Sequence, residues 1–68
     1  MSHIEIKASF PAHSGAQEAM LKLQALRAVE LGGLIENGEL IATVDSSISD
    51  RALHLIEQAG GMAQSTIL

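Results

Sequence analysis

Three histidines, His3, His13 and His54, are the side chains in this chain with most to offer chemistry. Imidazole binds metals and exchanges protons near neutral pH. A metal site needs converging ligands, commonly four residues apart on a helix or a short loop apart, and no pair of these histidines has that spacing. His54 falls on the polar stripe of a helical pattern and reads as an exposed surface histidine. There is no cysteine, which excludes thiolate zinc sites and disulfides. Nucleophilic catalysis needs a hydroxyl, a base and a group that orients the base. Ser14 adjoins His13, but no third member follows from the pattern. Glu36 and Glu39 approach a carboxylate pair, yet they flank a turn and read as a solvated tip. The chain is therefore expected not to be an enzyme, with no catalytic residue, metal ligand or cofactor assigned. One loop remains as an alternative site for a metal or small ligand, with His13 as its most plausible ligand. Pro11-Ala12-His13-Ser14-Gly15 runs into a helix start, where free amides and the helix dipole favour an anion. It carries neither a Walker pattern nor GxGxxG, and capping of the helix by Ser14 explains the same residues.

The elements that position these side chains alternate between two periods. Ile4, Ile6, Ala8 and Phe10 fall on one side of an opening strand, with Glu5, Lys7 and Ser9 on the other. Pro11 ends the strand, and Ser14 with Gln17 has the spacing of a capping box. Ala16, Ala19, Met20, Leu23 and Leu26 then form the apolar stripe of a first helix that fades near Arg27 or Ala28. Asn37-Gly38 is a strong hairpin signal, because both central residues of a type I′ turn need positive φ. Strands of about 29–35 and 40–44 are expected to flank it, with Gly32-Gly33 weakening the first. Asp45-Ser46-Ser47 offers caps for a second helix, whose stripe is Ile48, Ala52, Leu55, Ile56 and Ala59. Gly60-Gly61 closes that helix, and 62–68 is long enough for a last strand. The order is β-α-β-β-α-β, which predicts the ferredoxin-like α+β arrangement: a four-stranded antiparallel sheet with two helices on one face.

Sixty-eight residues make one domain at most. A chain this short buries roughly 60% of its unfolded surface, so it needs a staple or a partner subunit. Without cysteines, self-association or a well-packed aliphatic core is the expected remedy. The net charge of −4 opposes nucleic acid and anionic membrane surfaces. RNA binding on such a sheet also needs stacking aromatics, and Phe10, the one aromatic, points to the helices. The polar, alternating N-terminus is not a signal peptide, and no segment reaches the ~20 apolar residues of a membrane span. A cytoplasmic location is the default expectation.

A two-residue turn at Asn37-Gly38 pairs Ile35 with Leu40, Leu34 with Ile41 and Leu31 with Val44. With Leu40, Ala42 and Val44 facing the helices, Leu34, Ile41 and Thr43 point to the open face beside Glu5 and Lys7. Adjacent aliphatic side chains on a wet face suggest a covered patch. Leu34, Ile41, Thr43, Glu5 and Lys7 are thus the candidate interface of a homodimer built on the sheet face, an edge strand being the alternative, with a protein partner or small effector as further occupants.

Across nearly its whole length the chain resembles the heavy-metal-associated domains of copper chaperones and metal-transport ATPases. The resemblance lies in the short opening strand, the loop into an Ala- and Leu-rich helix, and the Glu36-Asn37-Gly38-Glu39 hairpin. It continues through Leu40-Ile41-Ala42-Thr43-Val44-Asp45 and Leu55-Ile56-Glu57-Gln58-Ala59-Gly60. It implies the same fold. That family binds soft metal through CxxC in the first loop, where this chain has Pro11-Ala12-His13-Ser14-Gly15, so no metal ligand carries over.

Overall fold

The computed structural model describes residues 2–68. Its elements are β1 (His3–Ser9), α1 (His13–Ala25), β2 (Glu30–Gly32), β3 (Glu39–Asp45), α2 (Ser49–Gln58) and β4 (Met62–Ile67). They form one antiparallel sheet in the order β2-β3-β1-β4. This is the ferredoxin-like βαββαβ fold expected from the pattern. Period two in the two central strands decides which side is buried. Ile6 and Ala8 of β1 and Leu40, Ala42 and Val44 of β3 are buried, while their neighbours are exposed or half-buried. The buried stripes Ala16, Ala19 and Leu23 of α1 and Ala52 and Ile56 of α2 lie over that face. No helix among the described residues is long and apolar enough to cross a membrane.

Among the described residues, five of the eleven buried apolar ones are alanines (Ala8, Ala16, Ala19, Ala42 and Ala52). The helices therefore lie close to the sheet, and few large side chains fill the space between. Phe10 is the largest of them and joins four parts of the fold. Its N–H donates to the Gly38 carbonyl at 2.7 Å. Its ring rests against two glycines. A Cβ on Gly61 would stand 2.4 Å from the ring, and one on Gly15 would stand 3.2 Å from the ring and 2.8 Å from the Ala59 carbonyl. Phe10 faces the helices, as the strand alternation predicts, and is only 7% exposed.

Three segments end in the same backbone closure, in which a residue in the left-handed region reverses the chain. At the end of α1, the N–H of Arg27 donates to Gln24 at 3.0 Å and that of Ala28 to Leu23 at 3.2 Å. At the end of α2, Gly60 donates to Glu57 at 3.0 Å and Gly61 to Ile56 at 2.9 Å. Between β2 and β3, Gly38 donates to Ile35 at 2.9 Å and Glu39 to Leu34 at 3.0 Å. The left-handed positions are Gly60 (φ 89°), Gly38 (φ 78°) and Arg27 (φ 63°). A side chain there costs about 1–2 kcal/mol, so Arg27→Gly is expected to stabilise the domain by about 1 kcal/mol. An unchanged or lower urea midpoint would contradict this account of the α1 terminus.

The β2–β3 connection departs from the expected two-residue turn. β2 is confined to Glu30–Gly32, and a short 3-10 turn, Ile35–Asn37, precedes Gly38. Of the Asn37-Gly38 pair, only Gly38 has positive φ. The turn carries Ile35 against the core, where it is half-buried, and packing of that side chain outweighs the local preference for type I′. The register becomes Leu31 opposite Ala42 and Gly32 opposite Ile41. Leu31 is not opposite Val44, nor Leu34 opposite Ile41. The slip is two residues, so the side chains of β2 keep their expected faces.

The two helix starts differ as well. Ala12 precedes α1 in extended conformation with no side-chain cap, and Ser14 lies inside the first turn, so the expected capping box is not formed. The Gly15 N–H donates instead to the Ala12 carbonyl at 3.2 Å, and the close seat of Gly15 against Phe10 and Ala59 sets where the helix begins. Asp45 does cap. It precedes a short 3-10 turn, Ser46–Ile48, that leads into α2, and its carboxylate accepts from both the hydroxyl and the N–H of Ser47. These bonds, the hydroxyl's first, hold its pKa below the ordinary carboxylate value. The folded state thus favours ionised Asp45. Its contribution is present above the unfolded carboxylate pKa and fades as pH falls through the lowered folded value. Asp45→Ala should lower the melting temperature at neutral pH, with the gap to the parent narrowing in acid. A gap independent of pH would contradict the ionised cap.

Candidate functional site

Antiparallel pairing of the two central strands brings four of the five candidate interface residues together. Glu5 is opposite Thr43 and Lys7 is opposite Ile41. Leu34 lies apart, 60% exposed on the connection after Gly33. The expected pair of adjacent aliphatic side chains is therefore absent. Ile41, 39% exposed, has Gly32 on one side and Lys7 on the other. Across the sheet the open face reads Glu30, Thr43, Glu5, Thr66 in one row and Gly32, Ile41, Lys7, Gln64 in the next. The centre of this face is polar.

In the first loop, Ser14 and Gly15 line a shallow cleft of about 280 Å³ with Pro11, Ala12, Glu18 and Ala59. His13 opens α1 but is not among the lining residues. The Glu18 carboxylate opposes an anion there, and the loop holds no second donor side chain to convert the helix start into a site. The histidines are dispersed over β1, the start of α1 and α2. Among the described residues, no group of three or more His, Asp or Glu side chains is placed to hold a metal. Among the same residues, no buried polar side-chain atom lacks a hydrogen-bond partner.

The edge-strand alternative for self-association names no particular strand, and the sheet order places β4 at a free edge. β4 pairs with β1 on one side only. It carries Met62 and Ile67 at 78% and 77% exposure, followed by Leu68 at 65%. Met62-Ala63-Gln64-Ser65-Thr66-Ile67-Leu68 contains no charged side chain and no proline. Natural edge strands are blunted by charges, prolines, bulges or shortness because their unpaired amides and carbonyls template another strand. β2, the opposite edge, is protected by being only three residues long and followed by Gly33 in a positive-φ conformation. β4 has none of these protections. The signal was present in the sequence as an uncharged final segment, and it acquires meaning once topology places that segment at the rim. Comparisons of the chain with protein-family models, curated proteins and solved structures find no significant match.

Proposed function

We propose that this protein is a non-catalytic interaction module that associates with itself. The observation supporting this reading is the unprotected β4 edge, where three exposed aliphatic side chains line a strand with nothing to discourage pairing. The small, alanine-rich core adds a thermodynamic reason, since a partner subunit buries surface that the isolated domain leaves wet. The sheet-face residues Glu5, Lys7, Ile41 and Thr43 form a more polar surface, with Leu34 outside it, and are a weaker contact than the edge. The heavy-metal-associated resemblance bears on function only through the first loop, where Ser14 and Gly15, but not His13, line a shallow cleft.

Native mass spectrometry and sedimentation equilibrium of the untagged protein over a concentration series test the reading. A mass approaching twice the chain mass as concentration rises is expected. A single-chain mass throughout, up to high micromolar concentration, would end it. Ile41→Glu should leave the dimer intact, because the edge and not the face carries the contact.

A further inference from the structure

We infer that two copies of this chain pair through β4, antiparallel about a two-fold axis at Ser65, with each Ile67 seated beside the other chain's Ala63. This rests on the self-association reading and specifies its geometry. The Leu68 N–H donates to the His3 carbonyl at 3.0 Å, and the register continues through Thr66–Glu5, Gln64–Lys7 and Met62–Ser9. In an antiparallel strand the N–H and C=O of one residue point to the same side, and those of the next residue to the other. The main-chain groups of Met62, Gln64, Thr66 and Leu68 are therefore directed to β1. Those of Ala63, Ser65 and Ile67 are directed to the empty side.

These three residues select the register. With Ser65 opposite the partner's Ser65, Ala63 meets the partner's Ile67 and Ile67 meets the partner's Ala63. All three pairs are then of the hydrogen-bonded kind. Two bonds from each of three pairs satisfy every outward-facing amide and carbonyl of the strand. A slip of two residues leaves pairs unmade, and a slip of one turns the faces over.

The side chains agree with that register. Ala63 and Ile67 lie opposite Ala8 and Ile4, on the helix side of the sheet. A cleft of about 350 Å³ adjoins Ala63, lined by Leu53, Glu57, Gly61, Met62 and Ala63. The partner's Ile67 arrives at this cleft, a large side chain opposite a small one, and the two-fold repeats the contact. On the open face Met62 meets the partner's Leu68, and Gln64 meets the partner's Thr66. All three exposed aliphatic residues of the segment thereby acquire partners. No like-charged side chains come opposite each other, because the strand has none. The chain's net charge of −4 still repels a second copy at longer range, so association should strengthen with added salt. The product is a continuous sheet in the order β2-β3-β1-β4-β4-β1-β3-β2.

The test uses Ser65→Pro, which removes an N–H directed away from β1 and so spares the internal ladder. It is paired with Ile67→Lys, which alters only an exposed side chain in the single chain. Expected is a dimeric parent and two variants of single-chain mass with unchanged far-UV circular dichroism. A folded Ser65→Pro variant that remains dimeric would overturn the edge pairing while leaving self-association standing. A parent that is monomeric throughout would overturn both. A second measurement decides should Ser65→Pro unfold. Gln64 and the partner's Thr66 form a non-hydrogen-bonded pair with Cα atoms about 4.5 Å apart, within disulfide reach. An equimolar mixture of Gln64→Cys and Thr66→Cys chains should therefore cross-link faster than either variant alone. Equal rates would overturn the proposed register.

Discussion

Phe10→Ala is expected to cost about 3–5 kcal/mol, the range for truncating a buried aromatic. A domain of this length holds only about 3–10 kcal/mol in all, so the variant should be largely unfolded at room temperature or lose most of its urea midpoint. The effect falls at the high end because the neighbours cannot close in. Gly15 and Gly61 have no side chains to advance into the vacated space, and the alanines of the core reach no further. The ring also sits where the end of β1, the start of α1 and the α2–β4 turn meet, so its loss loosens all three, while the Phe10 backbone keeps its bond to the β2–β3 connection. Urea unfolding followed by far-UV circular dichroism measures the effect. A loss below about 1 kcal/mol, the centre of the range for ordinary substitutions, would show that Phe10 is not the keystone described here.

Gly38→Ala should be nearly as damaging, by about 3 kcal/mol, which is the upper end of common single-substitution effects. Two causes combine. The residue adopts φ 78°, which by itself costs a side chain about 1–2 kcal/mol. An added Cβ would also stand 2.4 Å from the Phe10 carbonyl oxygen, a backbone atom that cannot swing aside. Relief requires breaking the bond from the Phe10 N–H to the Gly38 carbonyl or opening the turn that follows β2. Gly60→Ala is the control. Gly60 has φ 89°, but a Cβ there meets nothing within 4 Å, so it bears only the conformational cost, about 1 kcal/mol. Equal losses for the two variants would remove the close approach to Phe10 from the explanation.

The contrast between these glycines shows what was legible from sequence and what was not. Period two in β1 and β3 and the stripes of α1 and α2 report burial directly, so the helix-facing set from Ile6 to Ile56 could be read before any coordinates. Asp45 as a cap and Gly60 as a terminator are local chemistry and were equally visible. The β2–β3 connection was misread because Asn37-Gly38 speaks for an isolated hairpin, whereas Ile35 gains more by turning into the core. Ser14 failed as a cap because the approach of Gly15 to Phe10, a tertiary contact, sets the helix start. Arg27 in the left-handed region has no sequence signature at all.

The candidate site was legible to the same extent and for the same reason. Glu5, Lys7, Ile41 and Thr43 stand together because they belong to β1 and β3, whose pairing the slip between β2 and β3 does not touch, while the aliphatic pair at Leu34 and Ile41 depended on the β2–β3 register itself. The free edge of β4 could not be read from the segment in isolation. Its uncharged character is a property of residues, but its exposure is a property of the strand order.

The seat of Phe10 on Gly15 and Gly61 has a practical corollary. With no tryptophan or tyrosine, the protein has almost no absorbance in the band by which most proteins are quantified, and no intrinsic fluorescence of use. Its nuclear magnetic resonance spectrum compensates. A single aromatic ring casts its ring current on the α-protons of two glycines at opposite ends of the chain. Displacement of those resonances from their open-chain positions, and their collapse on unfolding, makes the fold readable from a handful of lines in an unlabelled sample.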